Sequence, residues 1–413
     1  MSKPSELTVS ARRAARVIRF TPGITRHDLA MRLGISVSSV NPVVSQLIDA
    51  GFVEEKEQRH RSGSAGRPRS GLHLTGPADT LAVIIWSHGV LDLALTRFDS
   101  SISWRSRTSV IERPSLDQLS TAVENLFGAA AESPDLSSPF AIVLGLPAPY
   151  ERGVGIAGTI PRDPDRDAQN DFTHWFDGDP VALLSERFHV PVLAENDANL
   201  GALGESRHGA AQDERCVIYL KLSGSGIGSG ITINGRLFDG SHGFAGEIAH
   251  VRVDDTSTTL CVCGSRGCLE EKVGQAILAP VRTLYGEDLA WEGLLDLVDG
   301  DAVGTGRVLQ DAGRTAGRAL ADLSTFLNPS MIVVDAGSEA ASAHVLRGVT
   351  EQVDQSTPPF IRQTLKLRIS ELGDDAAVRG AIDLARVASI GRLDSEGVLA
   401  KRSKARRLET VRV

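Results

Sequence analysis

Between Gly246 and Glu270 the chain reads GEIAHVRVDDTSTTLCVCGSRGCLE. One imidazole and three thiols at this spacing, His250, Cys261, Cys263 and Cys268, suit a four-coordinate zinc site. Zinc favours sulfur and neutral nitrogen, and three thiolates with one imidazole close a tetrahedron with no position left for water. The expectation is one structural Zn2+ per chain. Gly264 and Gly267 allow the sharp turns that bring three sulfurs onto one ion. Glu247 and Glu270 stand at the two ends of the loop, so a metal that pins the loop also fixes two carboxylates.

Two other stretches carry chemistry. AENDANLGALGE, residues 194–205, puts Asn196 and Asp197 just past a strand, where α/β folds place ligand-contacting residues. A carboxylate there can act as general base towards a hydroxyl, although an Asn-Asp pair also serves as a turn or helix cap. SGSGIGSG, residues 223–230, has the glycines that let backbone N–H groups approach an anion, a pattern shared by ordinary hairpins. Carboxylates, Asn and His together match a polyhydroxylated ligand, because each sugar hydroxyl donates and accepts at once.

The elements that must position these residues alternate between strand and helix. LAVIIW and VLDLALTRFD read as paired strands, SLDQLSTAVENLFGAAAE as a helix and FAIVLGLPAP as a strand entering a turn. VALLSERFHVPVLAEND gives helix then strand, and CVIYLKLSGSGIGSGITING gives two strands around a glycine loop. Helices over 274–285 and 304–326, the strand MIVVDAG and the segment LGDDAAVRGA before a last helix complete a two-lobed α/β body. The fourth cysteine, Cys216, falls in an apolar run and reads as a buried core thiol.

Ahead of this body, LTVSARRAARVIRF, TRHDLAMRLG and SVSSVNPVVSQLIDAG read as three helices, with Thr25 and Ser36 as N-caps and a turn at Gly34. Ile35 is expected to pack inward. Pro42 conflicts with a helix starting at Ser36 but fits one starting near Ser39, so that boundary stays open. FVEEKEQ and SGLHL then form a hairpin whose tip carries Arg59, Arg61, Arg67 and Arg69. The pattern is a winged helix-turn-helix over residues 1–75. Val37, Ser38, Ser39 and Asn41 would face base edges in double-stranded DNA, and the tip arginines would meet phosphate or minor groove.

Charge supports the division. Residues 1–75 carry a balance of +6 and the remainder −14, a basic head on an acidic body. At 41% hydrophobic and 23% charged residues the composition is that of an ordinary soluble protein. No apolar run approaches the roughly 20 residues of a membrane helix, and MSKPSELTVS lacks a signal-peptide core, so no membrane partner and a cytoplasmic location are expected. The expected boundaries are 1–75 for the head, 78–195 and 196–390 for two lobes, with the last helix returning to the first lobe, and 391–413 for a disordered basic tail.

Across roughly residues 10–390 the chain resembles the ROK family (repressors, open reading frames and sugar kinases). The zinc loop is similar to that family's Gly-Glu-Ile-x-His and Cys-x-Cys-Gly-x-x-Gly-Cys-Leu-Glu signatures, and AENDANLGALGE, GSGIGSGI, LNPSMIVV and LGDDAAVRGA look like its other motifs. The head and its Ala-Gly-Arg-Pro-Arg tip resemble the transcription-regulator branch. The resemblance implies an actin-like ATPase fold of two lobes with a sugar cleft between them. Asn196, Asp197, Glu247, His250 and Glu270 fall where the family contacts its sugar, and Asp197 matches the base of the kinases.

The kinases open their first lobe with Asp-x-Gly-Gly-Thr, and here the matching residues are Ile84, Ile85, Trp86, Ser87 and His88. An isoleucine binds no metal, and an indole at Trp86 is expected to fill the space of a phosphate. The expected function is thus a DNA-binding regulator, a repressor of carbohydrate metabolism, with a catalytically inactive sugar kinase-like domain that senses a sugar or sugar phosphate. A homodimer or higher homo-oligomer would read operator half-sites. The alternatives are an active ATP-dependent sugar kinase with a regulatory head, and a regulator whose signal is a protein partner.

Overall fold

The structure is a computed structural model and describes residues 8–21, 23–57, 70–74, 80–87, 90–96, 102–109, 115–131, 139–151, 155–156, 179–223, 226–261, 263–273, 275–287 and 289–395. The expected wing-tip residues Arg59, Arg61, Arg67 and Arg69 lie outside these, as do His88 and residues 396–413.

The head holds α1 (Val9–Phe20), α2 (Arg26–Leu33) and α3 (Val37–Asp49), then the antiparallel hairpin β1 (Val53–Glu57) and β2 (Ser70–Leu74). Each helix starts on a hydroxyl cap: Thr8, Thr25 and Ser36 accept from Ala11, Asp28 and Ser39. Apolar residues at helical spacing, among them Ile18, Leu29, Val44 and Leu47, close one core against Leu72. Gly34 ends α2 at φ +68°. One expectation is corrected: Ile35 is 37% exposed. The boundary left open falls at Val37, so Pro42 sits inside the helix. Pro42 is exposed, which leaves the carbonyl of Ser38, deprived of its i+4 donor, on the solvent side.

The body follows as β3 (Thr80–Ser87), β4 (Val90–Thr96), β5 (Ile102–Ser109), α4 (Leu116–Ala131), β6 (Pro139–Leu146), β7 (Tyr150–Glu151), β8 (Gly155–Ile156), α5 (Pro180–Phe188), β9 (Val192–Asn196) and α6 (Asp197–His208). Then come β10 (Cys216–Ser223), β11 (Gly226–Ile233), β12 (Arg236–Leu237), α7 (Gln275–Tyr285), α8 (Trp291–Asp299) and α9 (Thr305–Leu327). The last elements are β13 (Met331–Asp335), α10 (Glu339–Ser356), α11 (Pro359–Arg362), β14 (Lys366–Ile369) and α12 (Asp375–Ser395). The segment expected as tail from residue 391 is therefore helical as far as Ser395. Cys216 opens β10 only partly buried, because it is the first residue of the strand.

Two five-stranded sheets organise the body, in the orders β5-β4-β3-β6-β9 and β12-β11-β10-β13-β14. In each, the first three strands are an antiparallel meander and the last two continue parallel. The two lobes thus repeat one topology. Helix α6 packs on β10 and β11 of the second sheet and also touches β3, β6 and β9 of the first. It crosses α12, which lies against β3 and β6 and also touches α1 of the head. That crossing is close because it is made at glycines: a Cβ on Gly204 would lie 2.0 Å from the Ala376 carbonyl oxygen, and one on Gly380 1.9 Å from that of Leu200. Among the described residues, no helix is long and apolar enough to cross a membrane.

Candidate functional site

The loop after β12 folds around its sulfurs. Asp254 and Val253 amides bond to the Gly267 carbonyl, and Cys261 donates to Ser265 while Gly264 donates back to Cys261. Gly264 and Gly267 have φ of +85° and +70°, and a Cβ on Gly267 would lie 1.8 Å from the Asp254 carbonyl oxygen. The ligand atoms of His250, Cys261, Cys263 and Cys268 all lie within 4.8 Å of one another. His250 Nδ1 is 3.6 Å from Cys261 Sγ, and Cys263 Sγ is 3.7 Å from Cys268 Sγ. A tetrahedron with metal–sulfur bonds of about 2.3 Å has edges of about 3.8 Å, so the donor set fits a metal ion of that geometry. Glu271 braces the loop, accepting from the Gly267 amide at 3.1 Å and Ser257 Oγ at 2.9 Å.

The same loop sets two carboxylates against β11. Glu270 accepts from the Ile227 amide at 3.2 Å, and Ser229 Oγ donates to the Gly246 carbonyl next to Glu247. Burial pushes both carboxyls up to about 7, and for Glu247 the negative charge of Asp197 adds to the effect. His250 is shifted down by burial.

Asn196 and Asp197 come from the junction of β9 and α6. Asn196 is the N-cap: its Oδ1 accepts from Ala198 and Asn199, and its amide nitrogen donates to the Ala148 carbonyl. One amide hydrogen is left for a ligand. Asp197 opens the helix, buried, and Lys221 Nζ on β10 donates to its Oδ2 at 2.5 Å. Lys221 also reaches Ser87 Oγ on β3 at 3.2 Å, so it joins the second sheet to the first.

Ser87, Asp197 and Lys221 line a cavity of about 610 Å³ between the lobes, together with Tyr219, Trp291 and Asp335. Of the five expected effector residues Asp197 is in its wall, while Asn196, Glu247, His250 and Glu270 are not. The expectation for Trp86 is corrected by the pleat of β3. Ile84 and Trp86 point into the apolar core with Leu119 and Leu144, and Trp86 is fully buried there. Ile85 and Ser87, on the other face, form the cavity wall. No carboxylate from β3 reaches the cavity, but the indole does not fill it. At its rim Arg107 bonds Asp92 at 2.9 Å and Asp374 at 2.7 Å, and Arg105 joins Asp92 to Asp375, tying β4 and β5 to the start of α12.

Of the expected DNA-facing residues, Val37, Ser38, Ser39 and Asn41 are all exposed on the first turns of α3. Arg26 Nη1 donates to Asn41 Oδ1 at 3.2 Å while its Nε holds Glu55 at 2.7 Å, which leaves the Asn41 amide nitrogen outward. Sequence reasoning missed Lys221 and Glu205, and placed Ser87 only in the stretch that departs from the kinase motif. The buried Glu205 accepts from Ser370 Oγ, Leu372 N and Ala210 N, anchoring the loop before α12. A lone lysine in the apolar strand CVIYLKLS is the signal that could have marked Lys221.

The sequence profile described as the ROK family matches residues 148–388. The chain belongs to the ROK family. It is 31% identical over 230 residues to a xylose repressor of Bacillus spizizenii, covering 55% of this chain and 59% of that one. It is 27% identical over 386 residues to the DNA-binding transcriptional dual regulator NagC of Escherichia coli, covering 89% of each. A solved ROK family transcriptional regulator, described as a homologue of the E. coli MLC protein, superposes with a TM-score of 0.71 over 93% of this chain and 97% of its own, at 22% identity. The ROK fold with its two actin-like lobes is thus shared, and the stretch that aligns with NagC is longer than the ROK domain alone.

Proposed function

We propose that this ROK protein is a DNA-binding transcriptional regulator, a repressor of carbohydrate metabolism, whose body binds a sugar or sugar derivative without phosphorylating it. The observation that carries the reading is the ion pair of Asp197 with Lys221. A general base must reach the attacked hydroxyl with an oxygen that is not already engaged, and here the Lys221 ammonium holds Asp197 Oδ2. Asn196, Asp197, Glu247, His250 and Glu270 then serve as a recognition surface. Zn2+ held by His250, Cys261, Cys263 and Cys268 would fix the loop, leaving the other ring nitrogen of His250 for the ligand. The charge of the head, the exposed start of α3 and the alignment with regulators support operator DNA as the partner. A homodimer would place two heads on two half-sites.

The test is selection of duplexes from a random pool by the full-length protein, followed by titration of the selected duplex at two salt concentrations. A sequence-preferring duplex released by a member of a sugar panel is the expected result. No duplex retained above nonspecific binding at low salt, or steady ADP formation from ATP and sugar, would overturn it. Metal analysis of the purified protein should return about one zinc per chain, and near none for Cys263→Ser.

A further inference from the structure

We propose that Lys221 is a specificity-determining residue of the effector site, and that the group it reads together with Asp197 is a free hydroxyl rather than a phosphate ester. The inference rests on the sugar-sensing reading above and narrows it.

Asp197 can only accept and Lys221 can only donate, and they face the same cavity 2.5 Å apart. A hydroxyl that meets both donates a hydrogen bond to the carboxylate and accepts one from the ammonium, so both partners stay satisfied. Ser87 Oγ, already 3.2 Å from Lys221 Nζ, keeps the ammonium on this side of the cleft.

A phosphate ester fits neither partner. It carries about two negative charges at neutral pH and offers acceptors only, so nothing satisfies the Asp197 side. If Lys221 swung away to meet the phosphate, the Asp197 side chain, 7% exposed, would lose its counter-ion in a poorly hydrated place. Among the described residues of the cavity wall no other cation stands ready. Arg107 holds Asp92 and Asp374, and Arg282 Nε donates to the Leu289 carbonyl at 2.9 Å. The wall also contains Glu292 and Asp335, which add to the acidity a phosphate would meet.

The experiment is calorimetric titration of the full-length protein with D-glucose, D-mannose, N-acetyl-D-glucosamine and D-xylose, and with glucose 6-phosphate, glucose 1-phosphate, mannose 6-phosphate and N-acetylglucosamine 6-phosphate. At least one free sugar is expected to bind, with its phosphate esters weaker by tenfold or more, on the order of one lost charge-assisted hydrogen bond. Lys221→Met is expected to lose about 10- to 100-fold in affinity for that sugar. Lys221→Arg, which keeps the charge, should recover part of the loss. An ester binding as tightly as its free sugar, or a Lys221→Met protein that binds the sugar unchanged, overturns the role of Lys221 and leaves sugar sensing intact. Binding of no member of either set overturns the sugar-sensing reading and this inference with it. The wild-type comparison of sugar with ester needs no variant to fold.

Discussion

Glu270 occupies the space that any side chain at residue 226 would need. A Cβ added to Gly226 would lie 2.4 Å from Glu270 Oε1, and Gly226 has a φ of +152°. The glycine-rich hairpin therefore serves the cysteine loop: it is bare so that the Glu270 carboxylate can lie against it and accept from Ile227. Gly226→Ala should cost about 1–3 kcal/mol of stability through the clash and backbone strain. It should also weaken effector binding more than an alanine at Gly264, which meets no atom within 4 Å. Thermal melts and sugar titrations of the two variants make the comparison.

Glu247 gives the protein a pH dependence of known sign. Its carboxyl is raised from 4.5 to about 7, so the native state holds a proton that the unfolded chain has released. Its favourable contribution is complete below pH 4.5 and is lost as pH rises through 7. Glu247→Gln should therefore raise stability at pH 8, by on the order of 3 kcal/mol at most, and change little at pH 4.5. Glu270 is raised in the same sense, so part of the slope should survive. Urea unfolding at the two pH values reads the difference.

The buried Glu205 should be among the costliest polar positions to lose. Alanine there strands the Leu372 and Ala210 amides and Ser370 Oγ together. A loss of roughly 3–5 kcal/mol is expected for Glu205→Ala, and a smaller one for Glu205→Gln, which keeps an acceptor. Chemical denaturation of both variants tests this.

On α3, Asn41→Ala removes an amide whose oxygen is held by Arg26 and whose nitrogen faces outward. Affinity for a selected duplex should fall by about 1–3 kcal/mol while binding to random DNA stays nearly unchanged. An equal loss on both duplexes would assign Asn41 to a backbone contact instead.

What could be read from the sequence depended on how local the cause was. The caps at Thr25 and Ser36, the turn at Gly34 and the apolar strand LAVIIW are set by a few neighbouring residues, and the structure has them. The His250, Cys261, Cys263 and Cys268 cluster was legible because thiolate and imidazole spacing has few other uses. The face of Trp86 was not. Matching a motif by position ignores the pleat, and one residue along a strand turns a side chain from cavity wall to core. Lys221 was invisible for a different reason. Its partner Asp197 lies on another element, and only the packing of α6 across β10 makes a lone lysine part of a site. Strand β5, with its polar ISWRSRTS, escaped because its arginines are there for Asp92, Asp374 and Asp375 rather than for a core.

Helix α12 touches both ends of the molecule's problem. Ala377 near its start and Asp374 just before it line the cavity, while the same helix also touches α1 of the head. Its 21 residues span about 31 Å. A stiff rod is a lever arm: from Gly380 to its end at Ser395 it spans about 22 Å, so a tilt of about 5° there would move the far end by about 2 Å. The glycine crossing at Gly204 and Gly380, too tight for any side chain, is where such a lever would have its fulcrum.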